Sequence, residues 1–275
     1  MRRSALALTL LLTACSPGGC TPTTPTPTPA PVPGGPGDPS SPPAPPVTPG
    51  PPTPAPDPEP EPTPVTWPHE PGGVLAPGSG SGVTDPTIWA PGMRFPMETG
   101  PAYANSQVYG YGGYKAPGPG GQCDARNYAY PWHDNFCETR GWINGMCPAG
   151  KGHQGQDIRP STCVAKVHWV VAAEDGVVTS IGSYSVFIRG ESGRIYRYLH
   201  MDRAQLVTII SEGQRVTRGQ HIGRVSNEFG GSATTIHLHF EIKAPVTSGG
   251  STAVVFVPTY SSLEDAYQRL LNAHA

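Results

Sequence analysis

Hydrophobic and polar positions divide the chain into three regimes. A short apolar run, Ala5-Leu-Ala-Leu-Thr-Leu-Leu-Leu12, follows Arg2 and Arg3. From Ser16 to about Thr66 there is no apolar periodicity of either period. From about Val83 onward, short apolar segments are punctuated by glycine. Residues 164–171, 176–181, 185–188, 194–199, 221–225, 236–242 and 254–257 read as strands, because β-branched and aromatic residues are enriched there and bounded by turn residues. Glu191-Ser-Gly-Arg194 between two of them is a hairpin signal. Only the end reads as helix: Ser261-Ser-Leu-Glu264 has the form of a capping box, with Leu263, Tyr267, Leu270 and Leu271 at helical spacing. The expected fold is mainly β, an antiparallel sheet core with long loops and a short C-terminal helix.

Composition sharpens the middle regime. Of 36 prolines in 275 residues, 22 fall between Ser16 and Thr66, so the rest of the chain has an ordinary density. Proline fixes φ and lacks an N–H, so this segment is expected to be an extended, polyproline-type tether and not sheet or helix. At about 3.1 Å per residue it could reach on the order of 150 Å. Charged residues are 14% and the net charge is −2, which argues against nucleic acid as a partner. No apolar run reaches the roughly 18 residues that span a bilayer.

The N-terminal run instead has the basic start and short apolar stretch of a secretory signal. Leu12-Thr13-Ala14-Cys15 resembles a bacterial lipobox. That resemblance implies cleavage after residue 14, lipidation of Cys15, and attachment to a bacterial membrane facing the cell wall, since more than one acyl chain anchors stably. Ser16 resembles the sorting signal for the outer membrane where the cell has one. The plainer alternative is a cleaved signal with an incidental cysteine. The expected organisation is 1–14 signal, 15–66 lipidated cysteine and tether, 67–146 a loop-rich part, and 147–275 the core. Cys20 has no evident role.

Four cysteines remain: Cys123, Cys137, Cys147 and Cys163. In an exported chain an even set points to disulfides, with three pairings open. A Cys-only zinc site is the alternative, but no Cys-x₂-Cys spacing occurs to support it.

Histidine and aspartate carry the candidate chemistry, in His153-Gln-Gly-Gln-Asp157, Tyr198-Leu-His-Met201 and His237-Leu-His239. On a strand, His237 and His239 project from one face about 7 Å apart, while Leu238 and Phe240 enter the core. Together they can supply one metal ligand and one base. His153 and Asp157 flank a turn and can converge on the same ion. A His₂Asp set leaves one tetrahedral position for water, which marks catalytic and not structural zinc.

These motifs, in this order, resemble the lysostaphin/LytM-type zinc metallopeptidases, peptidase family M23, which cut peptide bonds in peptidoglycan. The resemblance runs from about Cys147 to Ile242 and includes Ala173-Glu-Asp-Gly-Val-Val178, Gly213-x₂-Val216-x₂-Gly219-Gln220-x-Ile222-Gly223 and His237-Leu-His-Phe-Glu-Ile242. It implies the antiparallel core of the LytM type (a duplicated hybrid motif), one Zn²⁺ per chain on His153, Asp157 and His239, and a monomer acting on peptidoglycan. It also implies His237 as general base and His200 as the residue that orients water and stabilises the oxyanion. A non-catalytic LytM-like module that binds wall and activates a separate amidase is the alternative. Asn105 could serve as a latency ligand. The aromatic stretch with Tyr109, Tyr111, Tyr114, Tyr128, Tyr130, Trp132 and Trp142 could wall the cleft or simply pack a loop.

Overall fold

A computed structural model describes residues 64–110, 112–113 and 121–273. Contacts divide the chain into Met1–Glu59 and Pro60–Ala275, and all described residues belong to the second unit. The signal run, Cys15, Cys20, the tether up to residue 63, Tyr111 and Tyr114 lie outside the described residues.

Twelve strands are described: β1 (Tyr103–Ala104), β2 (Gln156–Arg159), β3 (Trp169–Val171), β4 (Gly176–Ile181), β5 (Ser185–Gly190), β6 (Ile195–Leu199), β7 (Arg215–Val216), β8 (His221–Arg224), β9 (Glu228–Phe229), β10 (Ser232–Ala233), β11 (Leu238–Ser248) and β12 (Ser251–Val257). The main sheet is antiparallel in the order β1-β2-β11-β6-β5-β4-β7, with β12 also paired to β11. β3 pairs with β8, and β9 with β10. Two α-helices are described, α1 (Arg203–Ile209) and α2 (Tyr260–Asn272). The fold is therefore mainly β with a short C-terminal helix, as expected. Among the described residues no helix is long and apolar enough to cross a membrane.

β11 is the axis. Its first half lies between β2 and β6, with His239 opposite Asp157 on one side and opposite Leu199 on the other. Because side chains alternate, Leu238, Phe240 and Ile242 point into the core with Tyr196, Tyr198 and Ile158, all nearly inaccessible. The odd positions, His239 and Glu241, are then forced onto the opposite face beside Arg197 and Asp157. One period-2 pattern thus builds the core and places the polar residues.

The other core layer comes from outside the strands. α2 buries Tyr260, Leu263, Ala266, Tyr267 and Leu270, one helical stripe, against Trp67, Phe95 and Trp132. Trp132 is fully buried, stacks on Phe95 with ring centroids 5.9 Å apart, and donates through Nε1 to the Ala102 carbonyl at 2.7 Å. The cysteines form Cys123–Cys163 and Cys137–Cys147 disulfides, closing loops with sequence separations of 40 and 10. Loop closure of these sizes stabilises by about 4 and about 3 kcal/mol.

Several expected elements differ. Residues 164–168 are not strand; Lys166 takes a positive φ of 66°, which breaks an extended run, and only Trp169–Val171 pairs. The capping box does not form: α2 has no side-chain N-cap bond, Ser261 Oγ donates to the Asp85 carbonyl, and Ser262 Oγ accepts from the Ala90 amide. Tertiary partners take those hydroxyls. α1 was not expected; it buries only Leu206 and so has almost no apolar period to read, although Asp202 caps it by accepting from the Ala204 amide.

Truncating Trp132 to alanine is expected to destabilise the chain by about 3–5 kcal/mol in urea unfolding. Trp142→Ala, at a residue 58% exposed, is expected to change it by no more than about 0.5 kcal/mol. Equal effects would contradict the placement of the core.

Candidate metal centre

Asp157 sits on β2 with its side chain buried, and its Oδ1 is the focus of three imidazoles. His239 Nδ1 lies 2.9 Å away, His153 Nε2 3.3 Å and His237 Nε2 3.4 Å. Its second oxygen accepts from the Asn135 amide at 2.8 Å, and the Asn135 side-chain oxygen accepts from the Asp157 backbone N–H. His153, Asp157 and His239 each offer one ligand atom, all within 4.8 Å of one another.

The outward nitrogens settle what faces inward. His153 Nδ1 donates to the Asn135 carbonyl at 3.0 Å, His237 Nδ1 to the Thr235 carbonyl at 2.8 Å, and His200 Nδ1 to the Glu228 carbonyl at 2.9 Å. A carbonyl can only accept, so each of these nitrogens carries the proton, and each neutral ring turns a lone pair towards the cluster. His239 Nε2 is bound at 2.9 Å by Glu241, which is itself paired with Arg197 at 3.2 Å. Lone pairs aimed at a carboxylate oxygen repel one another unless a proton or a cation lies between them. Two nitrogens and one carboxylate oxygen, all buried and each oriented from behind, are the donor set that suits a divalent zinc-like ion.

The charge states agree. Burial disfavours charge on His239, but the hydrogen bonds it donates to Asp157 and Glu241 outweigh it and hold its pKa at about 9. Burial, with His237 and His239 alongside, drives His200 well below the ordinary histidine range. Burial likewise lowers His153. Burial would raise Asp157, yet attraction to the His153 and His237 rings in their protonated form pulls it well below the usual carboxylate range, as a cation among them would.

His200 follows β6 with a positive φ of 63°, a left-handed conformation that histidine tolerates better than most residues. This turn brings its ring to 4.5 Å from that of His237 and 6.2 Å from that of His239, against Tyr184 and Phe229. The cleft over the cluster holds about 330 Å³, and its outer walls include Val108, Arg140, Trp142, Tyr184 and Phe229.

All five expected residues therefore converge. Asn105 does not join them. Its amide nitrogen donates to the Asn127 carbonyl and its amide oxygen accepts from Gln107, so neither is directed at the cluster. Tyr198 is on the core face, where its hydroxyl accepts from the Ala173 amide. Of the aromatic stretch, Trp142 lines the cleft, whereas Trp132 is core and Tyr130 bonds Tyr267 through their hydroxyls. Asn135 and Glu241 were not singled out from sequence. Glu241 was legible, two residues past His239 on the same strand face; Asn135, in a loop 22 residues before Asp157, gave no signal.

Residues 151–253 match the sequence profile of peptidase family M23. Among proteins of curated function none matches. Solved structures that part of the chain resembles include a protein from Ruminococcus gnavus assigned as a glycyl-glycine endopeptidase LytM, at 23% identity over 42% of this chain and 47% of that one, with a TM-score of 0.34. The catalytic domain of the antimicrobial peptidase lysostaphin from Staphylococcus simulans matches at 18% over 48% and 90%, TM-score 0.33. A zinc-containing peptidase from Vibrio cholerae matches at 26% over 46% and 37%, TM-score 0.28. The chain thus spans less than half the length of the first and third of these.

Metal uptake by the full chain near neutral pH is expected to expel about one proton, because His239 is protonated below about 9 and must give up Nδ1–H to act as a ligand. Zinc affinity should therefore rise as pH climbs towards that value. Calorimetry in buffers of different ionisation enthalpy measures this. Glu241→Gln is expected to weaken zinc binding by about 10–100-fold.

Proposed function

We propose that this chain is a zinc metalloendopeptidase that hydrolyses peptide bonds of peptidoglycan stem peptides or cross-links. The observation that carries this reading is the buried carboxylate of Asp157 faced by three imidazole nitrogens, each ring fixed from behind, on the floor of an open cleft. The M23 profile match over the same residues supports it.

His153, Asp157 and His239 would hold the ion. A zinc ion there would polarise the scissile carbonyl and lower the pKa of attacking water towards neutrality. His237, which is not in the ligand triad, keeps a lone pair on Nε2 and takes the proton of the water as it attacks. His200 also presents an Nε2 lone pair, because its Nδ1–H is committed to Glu228. It therefore orients the water by accepting a hydrogen bond, and it can donate to the developing oxyanion only after gaining a proton. Exposed Trp142 and Phe229 at the rim, with Arg140, offer contacts for the peptide on either side of the bond.

We extend the reading to delivery. Lipidated Cys15 would attach the chain to a membrane facing the wall, and the proline-rich segment would carry the catalytic unit, a monomer, towards its substrate. The non-catalytic alternative has no observation in its favour, since every residue it would lack is present in the cluster.

Full chain incubated with purified peptidoglycan is expected to release new amino groups. His237→Ala should lower that rate by about 10²–10⁴-fold while zinc stays bound, and His239→Ala should lose both. Undiminished release by His239→Ala would show that the cluster is not the site.

A further inference from the structure

Behind His237 runs a chain of buried polar side chains that the proposed reaction does not itself use. Asn105, Gln107, Thr235 and His237 are each no more than 2% exposed. Buried polar groups are costly unless all are satisfied, and apolar residues would hold a loop more cheaply. The order of donors and acceptors along this chain has only one solution.

It starts at a backbone carbonyl. Asn127 O can only accept, so the Asn105 amide nitrogen donates to it at 2.9 Å and the Asn105 oxygen faces the other way. Gln107 must then turn its nitrogen to that oxygen, at 2.8 Å, and to the Asn105 carbonyl, at 3.3 Å. Its own oxygen is left facing Thr235, whose hydroxyl donates to it at 2.5 Å. With its proton spent, the Thr235 hydroxyl offers His237 Nδ1 only lone pairs, at 3.1 Å. The Thr235 carbonyl, at 2.8 Å from the same nitrogen, makes the identical demand. Nδ1 must carry the proton, and Nε2 must keep its lone pair towards Asp157 and the cleft.

We propose that Gln107 and Thr235 are positioning residues that fix the tautomer of His237. They hold both acceptors of residue 235 on Nδ1, so that Nε2 is always the proton-accepting nitrogen. This inference rests on the reading in which His237 takes the proton from water, but its first readout does not. The same segment reaches the ligand side, since the Asn105 backbone N–H donates to the Asp157 backbone carbonyl at 3.2 Å. One loop therefore aligns the base with the strand that carries the metal-ligating carboxylate.

The test is nitrogen NMR of the zinc-loaded full chain with ¹⁵N-labelled histidine, alongside initial rates of amine release from purified peptidoglycan. Wild-type His237 is expected to give a protonated Nδ1 and an unprotonated Nε2. Thr235→Val removes the hydroxyl and, with it, the anchor to Gln107 that keeps the residue 235 carbonyl on Nδ1. It should therefore shift both resonances towards averaged values and lower the rate about 10-fold, with zinc content unchanged, and Thr235→Ser should restore both. Because Thr235→Val orphans the Gln107 oxygen beside His237, the double variant Gln107→Leu/Thr235→Val is measured too; it moves the orphaned acceptor to Asn105, away from His237, and should behave like the single one. An unchanged nitrogen pattern in both variants overturns the inference, whatever the rates do. If wild type releases no amine, the peptidase reading fails, while the tautomer is still decided by the spectrum.

Discussion

A single oxygen organises this molecule. Asp157 Oδ1 is approached by three imidazole nitrogens within 3.4 Å, and each approach is unfavourable unless positive charge lies between. A buried carboxylate without compensation would cost several kcal/mol, so the arrangement persists only if the surroundings impose it. They do so in layers. Carbonyls of residues 135, 228 and 235 hold the proton on the outer nitrogen of His153, His200 and His237. The carboxylate of Glu241, backed by Arg197, performs the same task for His239. The outer hydrogen bonds thus determine what the centre can bind.

The sheet makes that convergence inexpensive in backbone terms. Asp157, His239 and Leu199 occupy one row across β2, β11 and β6. No loop has to be bent to bring aspartate and histidine together, because ladder pairing already does so. Slipping β11 by one residue would drive His239 and Glu241 into the core and expose Leu238 and Phe240, so apolar burial fixes the register and the register fixes the site. Of the five converging residues His200 alone has a positive φ, and that left-handed backbone turns its ring towards His237.

This division explains how much of the molecule was legible in its sequence. Period-2 alternation in 236–242 and short motif spacing are local signals, each weak alone; their joint order, through its resemblance to family M23, singled out all five residues that converge. The strand pattern around glycine turns likewise revealed a mainly β fold. Long-range partners gave no such signal. Nothing near Asn135 announces that its carbonyl will hold His153 and its amide Asp157, because that contact exists only after folding. The expected capping box failed for a related reason: Ser261 and Ser262 have hydroxyls suited to a cap, yet each found a tertiary partner in residues 85–90. Asn105 was singled out for the wrong place, since its amide serves the network behind His237 and not the centre itself.

The residues that match a known family, 151–253, contain all five converging side chains, yet they do not contain the site. Asn135 and Gln107 lie before them, and so do Phe95 and Trp132, which carry the second layer of the core. The Cys137–Cys147 disulfide lies wholly before them as well. It closes the loop whose residues 137 and 138 pair with His153 through backbone hydrogen bonds in both directions. Cys123–Cys163 ties the same preceding segment to the stretch between β2 and β3. The loop-rich segment is therefore part of the candidate site and not an appendage to it. Its irregular backbone supplies the Asn135 carbonyl that holds His153, whereas the other two acceptors come from Glu228 on β9 and from Thr235 between β10 and β11. His153 takes its rear acceptor from that segment, and covalent cross-links are the means by which so long a loop is held still enough to provide it.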